Sequence, residues 1–246
     1  MGSDDIAKKR IAANRERRNL QKTNRKIRNV GNRTLIPNIL ILTEGYSEDI
    51  YFKELIRILS LNTVKSRKSI STDCNGILGE AESEALKSNE TDNELNYIFC
   101  IFDLDTVKNR THLDYLARMN SNFTRIIPIY SFPCIEIWFL LHFECTTRPF
   151  NSQGKKSIGE VIKDYFQSTY APDYTETNKN VIESLVPDYE RAIYNSIRLC
   201  NQQSKVNSIN PITNMHALIT LLKNISERSQ NYVYEDVYQS FIQENI

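Results

Sequence analysis

Along the first 150 residues, short apolar runs alternate with segments of helical period. Ile39-Leu40-Ile41-Leu42 is a continuous apolar run, as expected of a strand buried on both faces of a parallel sheet. Ile50, Leu55, Ile58 and Leu59 then fit one helix face; Ser47 stands where it would cap the first turn, and Glu48 and Asp49 favour the positive end of the helix dipole. A weaker strand is predicted over residues 63–70 and a helix over 78–87. Tyr97-Ile98-Phe99-Cys100-Ile101-Phe102 is a clearer strand, followed by a helix near 111–119, a strand over 125–130 and a helix over 135–143. This order predicts βαβ units, and so an α/β, Rossmann-like open parallel sheet flanked by helices.

The remaining chain reads as a mainly helical C-terminal extension. Ile158, Val161, Ile162, Tyr165 and Phe166 form a one-sided apolar stripe. Residues 151–157 (NSQGKKS) are the predicted linker, and Lys155 and Lys156 within it can touch phosphate. A polar stretch over 170–180 contains the helix breaker Pro172; further helices are predicted over 189–200, 215–225 and 234–243, with Pro187 and Pro211 near helix starts. The domain reading is an arm over 1–33, an α/β domain over 34–150 and an extension over 151–246.

The net charge of +1 conceals an asymmetry. Residues 1–33 carry eleven cations (Lys8, Lys9, Arg10, Arg15, Arg17, Arg18, Lys22, Arg25, Lys26, Arg28 and Arg33) against Asp4, Asp5 and Glu16, a net +8 that leaves the other residues at −7. A basic arm on an acidic body suits a phosphate backbone, where each neutralised phosphate releases counterions. The five cysteines lack CxxC spacing, no signal-peptide h-region opens the chain, and no apolar run reaches about 18 residues. The expectation is a cytoplasmic, reduced protein with no structural zinc and no membrane span. His112 and His216 show no metal-ligand spacing, and His142, beside the run Trp138-Phe139-Leu140-Leu141, reads as a hydrogen-bonded core histidine.

Two acidic motifs stand where predicted strands end: Glu44-Gly45 after the first, and Asp103-Leu104-Asp105 after the third. Open α/β sheets bind ligands at the carboxyl ends of their strands. Residues two apart on extended chain point the same way, roughly 6–7 Å apart, so Asp103 and Asp105 can face one cleft. Like charges there need a positive partner, and a hard divalent cation, Mg²⁺ or Mn²⁺, accepts one or two carboxylates plus phosphate oxygens. Taken singly, Glu44-Gly45 also fits a strand-ending turn, with Gly supplying an unusual backbone angle, and the two aspartates fit a turn and a helix cap.

The Glu-Gly and DxD spacing resembles the Toprim domain of topoisomerases, primases and some nucleases. More closely, ILILTEGYSEDIYF, IFDLDT, FPCIEIWFLLHFE and NPITNMHALITLL together resemble the RloB-like (AbiLii-type) family linked to restriction and phage-abortive-infection loci, over residues 35–223 and, in character, the basic arm. The resemblance implies a Toprim-like fold. It implies Glu44 as a general acid or base, Asp103 and Asp105 as the metal-binding pair with Glu44 beside them, and Glu136 as the acid of the third block. Thr43 and Ser47 stand where many relatives have Cys and Thr, and Val107 where Toprim sites often supply a further acid.

The function expected on these grounds is metal-dependent hydrolysis of nucleic acid in phage defence. No cysteine ribbon of the primase type is present, and the chain is short for strand passage. Two alternatives stay open: a nucleic-acid sensor or effector acting with an ATPase partner, since the chain has no P-loop of its own, and a tRNA-directed toxin ribonuclease. The arm reads charge, so DNA and RNA are not distinguished.

Overall fold

The computed structural model describes residues 36–90, 95–104 and 125–227. The basic arm, Asp105, Val107 and the helices expected near 111–119 and 234–243 lie outside the described residues. The chain divides into two units, Met1–Leu35 and Ile36–Ile246, and every described residue belongs to the second.

Five strands form one sheet: β1 (Ile39–Thr43), β2 (Val64–Lys68), β3 (Tyr97–Asp103), β4 (Arg125–Phe132) and β5 (Ile212–Thr213). Their spatial order is β2-β1-β3-β4-β5, and all neighbours are parallel except β4 and β5. The helices are α1 (Tyr46–Ile58), α2 (Cys74–Glu90), α3 (Glu136–Leu140), α4 (Ile158–Thr169), α5 (Lys179–Leu185), α6 (Tyr189–Lys205) and α7 (Met215–Glu227), with a 3-10 turn over Val186–Asp188. The protein is thus α/β, with a mostly parallel sheet flanked by helices. Among the described residues no helix is long and apolar enough to cross a membrane.

The period of two along each strand sorts its side chains onto opposite faces. Ile39, Ile41, Tyr97, Phe99, Ile101, Ile127 and Ile129 enter the larger core with residues of α1, α3 and all later helices. Leu40, Leu42, Ile98, Cys100, Phe102 and Ile126 face α2 through Ile77, Leu78, Ala81 and Ala85. Burial on both faces explains why β1 and β3 read as continuous apolar runs.

The extension closes the larger core and adds the last strand. β5 pairs only at Ser131↔Thr213 and Phe132↔Ile212. Beyond it a side chain continues the ladder: Asn214 Oδ1 accepts from the Tyr130 N–H at 2.7 Å, and its Nδ2 donates to the Pro128 carbonyl at 3.3 Å. That substitution by a side chain suits Pro128, which has no N–H to offer. His142 is held from both sides, Nδ1 3.0 Å from the Trp138 carbonyl and Nε2 3.1 Å from the Tyr51 hydroxyl. The carbonyl can only accept, so Nδ1 carries the proton and Tyr51 donates to Nε2.

The strand order fixes where ligands can reach the sheet. The chain passes from β1 to β2 on one side and places β3 on the other, so the order reverses between β1 and β3. Loops leaving two strands in opposite directions open a crevice between their carboxyl ends. Glu44 and Asp103 stand at those two ends.

Candidate functional site

The backbone at the end of β1 stays locked to β3 for one residue more: the Glu44 N–H donates to the Ile101 carbonyl at 3.0 Å. The Glu44 side chain then turns across the crevice, and its Oε2 accepts from the Asp103 N–H at 3.0 Å. One carboxylate therefore bridges the ends of two adjacent strands whose following loops leave in opposite directions.

Gly45 follows at φ −111° and ψ 175°, ordinary extended backbone, so the expectation of an unusual glycine angle is not met. The glycine answers a steric need instead. A Cβ here would lie 2.5 Å from Glu48 Oε2. The crowded atom is the far end of one side chain, so Gly45→Ala should cost about 1 kcal/mol, the low end of the penalty for forcing a methyl into occupied space. Urea unfolding measures this, and a second substitution, Glu48→Ala, should recover most of the loss.

Ser47 does not cap α1, correcting the sequence expectation. Gly45 occupies the N-cap position without a side-chain bond, and Ser47 lies within the helix. Its hydroxyl instead donates to the Glu176 carbonyl at 3.0 Å and lies 3.4 Å from the Tyr174 hydroxyl. The two acids after it also part company. Asp49 is engaged at the β2 side, accepting from Ser66 Oγ at 2.8 Å and from Lys53 Nζ at 2.7 Å. Glu48 turns inward, 3% exposed, and its Oε2 has no hydrogen-bond partner. Burial pushes the Glu48 carboxyl up to about 8, assisted by the charges of Glu136, Glu44 and Glu176 and opposed by a bond from its own backbone N–H. The carboxyl keeps its proton at neutral pH.

Glu136 opens α3, where residues just past β4 can reach the same crevice, and it is 2% exposed. Its Oε1 accepts from the Tyr174 hydroxyl at 2.8 Å. Burial and then the Glu136 charge drive the Tyr174 hydroxyl far above its ordinary range, so it remains a donor. Cys134 is likewise raised by burial and by the charges of Glu136 and Asp103, which places both acids on its environment. Lys163 of α4 pairs with Glu176. Burial lowers its ammonium, yet that bond and the charges of Glu136 and Glu176 hold it above the usual lysine range.

Of the residues singled out by sequence, Glu44 and Asp103 therefore meet directly, and Glu136 is linked to them through the buried Glu48, raised by Glu136 and Glu44, and the buried Cys134, raised by Glu136 and Asp103, while Asp105 and the arm lie outside the described residues. Among the described residues no three His, Cys, Asp or Glu side chains stand together as a ready metal site. The donor chemistry nevertheless fits a hard cation: Glu44 and Asp103 are oxygen donors, and the buried Glu48 Oε2, which nothing satisfies, would join them only with loss of the Glu48 proton. Tyr174 and Lys163 escaped the sequence reading, and Glu48 appeared there only as a first-turn acid of the helix. Glu48 has a local signal, one helical turn past Glu44; Tyr174 and Lys163 reach the crevice only through folding.

A family model described as RloB-like protein matches residues 39–222. The chain belongs to the RloB-like family. The matched span begins past the basic arm and contains every described residue of the crevice, including Glu48, Lys163, Tyr174 and Glu176. No curated protein and no solved structure matches this RloB-like chain.

Proposed function

We propose that this RloB-like protein hydrolyses phosphodiester bonds in nucleic acid at the carboxylate crevice, through a Toprim-like, metal-dependent site, in phage defence of the abortive-infection type. The observation that carries the chemistry is the Glu44 carboxylate held on the Asp103 N–H at the topological switch point, beside a buried carboxyl with an unsatisfied oxygen. The defence setting rests on the family resemblance.

Asp103 and Asp105, with Glu44, would hold Mg²⁺ or Mn²⁺; such an ion polarises a phosphodiester oxygen and lowers the pKa of bound water. Glu44 is oriented by the Asp103 N–H and takes the proton of the attacking water at its carboxylate. As the water oxygen bonds to phosphorus, the P–O bond to the leaving strand breaks and that oxygen takes up a proton; Glu48 holds one in the crevice at neutral pH. Glu136 is kept in place by Tyr174, and Lys163 balances acidic charge at the rim. The cations of the arm, Lys8 to Arg33, draw in the phosphate backbone.

The test is incubation of wild type and Glu44→Gln with labelled plasmid DNA, single-stranded DNA and total tRNA, in Mg²⁺, in Mn²⁺ and in EDTA. Wild type should cut at least one substrate, EDTA should stop it, and Glu44→Gln should slow it about 10²–10⁴-fold, the range for a lost general acid or base. Cleavage confined to tRNA would identify a toxin ribonuclease. Binding without cleavage in any metal would overturn the hydrolytic reading in favour of a sensor acting with an ATPase partner.

A further inference from the structure

Beside the crevice lies an exposed ledge that the proposed chemistry does not use. Tyr46, two residues after Glu44, is 58% exposed, and Ile70, two residues past β2, is 90% exposed. Lys68 joins them: its Nζ lies over the Tyr46 ring, 5.3 Å from the centroid. The ledge is fixed relative to Glu44 because Lys68 is the register partner of Thr43, and the Ser69 N–H donates to the Thr43 carbonyl at 2.8 Å. Tyr46 and Lys68 thus flank the carboxyl end of β1 from two adjoining segments.

Several cations near Lys68 are held in ion pairs, and Lys68, like Lys65 in the same strand, is not, among the described residues. Lys53 pairs with Asp49, Arg67 with Glu80 and Glu84, and Lys87 with Glu84. Lys68 donates only to the Ser69 carbonyl, at 3.3 Å, and has no ion pair among the described residues. An exposed aromatic ring with an ammonium over one face matches one ligand chemistry well, a flat π-system that stacks on the other face and carries a phosphate for the ammonium. In a duplex interior both faces of each base are covered by neighbours, so only an unpaired base can lie on Tyr46.

We infer that Tyr46 and Lys68 form a platform that stacks an unpaired nucleobase and contacts its phosphate, so that single-stranded nucleic acid enters the crevice past Glu44. The choice of nucleic acid as ligand rests on the hydrolytic reading above. Tyr46 supplies the stacking face and Lys68 the phosphate contact.

The experiment uses the full chain in EDTA, which separates binding from cleavage, with 2-aminopurine-labelled single-stranded DNA and RNA of one sequence and the matching duplexes. Wild type should quench the probe in at least one single strand. Tyr46→Ala should abolish the quenching and weaken that binding about 5- to 100-fold, the range for one lost base stack, while duplex affinity changes less than twofold. Tyr46→Trp should retain both, and Lys68→Gln should reduce the salt slope on single strands by about 0.7, as for one phosphate contact. Residues 1–33 contain no aromatic side chain, so the arm cannot supply the quenching. Tyr194, 62% exposed with the Arg198 guanidinium 5.5 Å from its ring centroid, offers the same chemistry on α6, and Tyr194→Ala should change nothing.

The inference is overturned if Tyr46→Ala binds and quenches like wild type, if it weakens duplex and single strand equally, or if Tyr194→Ala removes the signal instead. A parallel cleavage assay in Mg²⁺ keeps the two readings apart. Stacking through Tyr46 with no cleavage keeps the platform and sinks hydrolysis; cleavage with binding indifferent to Tyr46→Ala does the reverse.

Discussion

Glu48→Gln should raise the melting temperature by roughly 10 °C at pH 9 and leave it nearly unchanged at pH 5. The Glu48 carboxyl is raised by burial from its ordinary 4.5 to about 8 in the folded protein. Between those values the native state holds a proton that the unfolded chain has released, so stability falls as pH rises from about 4.5 to about 8. Above pH 8 the carboxylate must be ionised while buried, at a cost on the order of 4 kcal/mol. Glutamine matches the shape of the protonated side chain and removes the titration. Its amide also offers a donor toward the acids whose charges raise Glu48. Thermal unfolding of both proteins between pH 5 and pH 9 provides the check. Parallel curves would show that Glu48 is not the group that titrates, and a lower melting temperature for the variant at pH 9 would show that its ionised form is stabilised in the crevice.

The second large effect has the opposite pH sense. His142 and His216 are both buried, and desolvation lowers each to about 4. In His142 the Trp138 and Phe139 carbonyls oppose this without overcoming it. His216 sits with Nδ1 2.8 Å from the Ser196 hydroxyl. Between pH 6.5 and about 4 the unfolded chain takes up protons that the native imidazoles refuse, so this contribution is intact above pH 6.5 and is lost on acidification. Each histidine should account for about 2 kcal/mol between pH 7 and pH 4.5. His142→Gln and His216→Gln lose some stability at every pH through altered packing, so the informative quantity is the slope. Urea midpoints from pH 7 to pH 4.5 should fall less steeply in each single variant and least in the double. Slopes equal to wild type would mean that both imidazoles bind protons as readily in the fold as in the unfolded chain. Because Glu48 and the histidines pull in opposite directions, the wild-type profile alone hides both effects, and the variants are needed to separate them.

How much of this was legible depended on whether the signal was local. β1 and β3 were readable because strands buried on both faces are continuous apolar runs, and β2 was weaker because VKSRK has only Val64 fully buried. The start of α2 was missed: Gly76 and Gly79 dilute its helical pattern, while Asp73 secures the first turn by accepting from the Gly76 N–H at 3.1 Å. The helix expected over 135–143 is a five-residue α3, after which His142 and Phe143 continue in tighter turns bonded to Phe139 and Leu140. α5, seven residues long, begins at the end of the polar stretch and is too short for its period to show, and β5, two residues long, has no period to detect.

The sequence by itself determined the family, the α/β architecture and the placing of Glu44 and Asp103 at strand ends, since each follows from a short run of neighbouring residues. Only the tertiary structure decided that Glu44 is held by the Asp103 N–H, that Gly45 makes room for Glu48, and that Tyr174 and Lys163 complete the crevice from the extension. It also decided that Glu48, locally an acid in the first turn of a helix, is a buried carboxyl that keeps its proton. The reason is physical: periodicity is set by chain neighbours, whereas desolvation and electrostatic coupling are set by whatever folding brings near, here residues more than 100 positions apart.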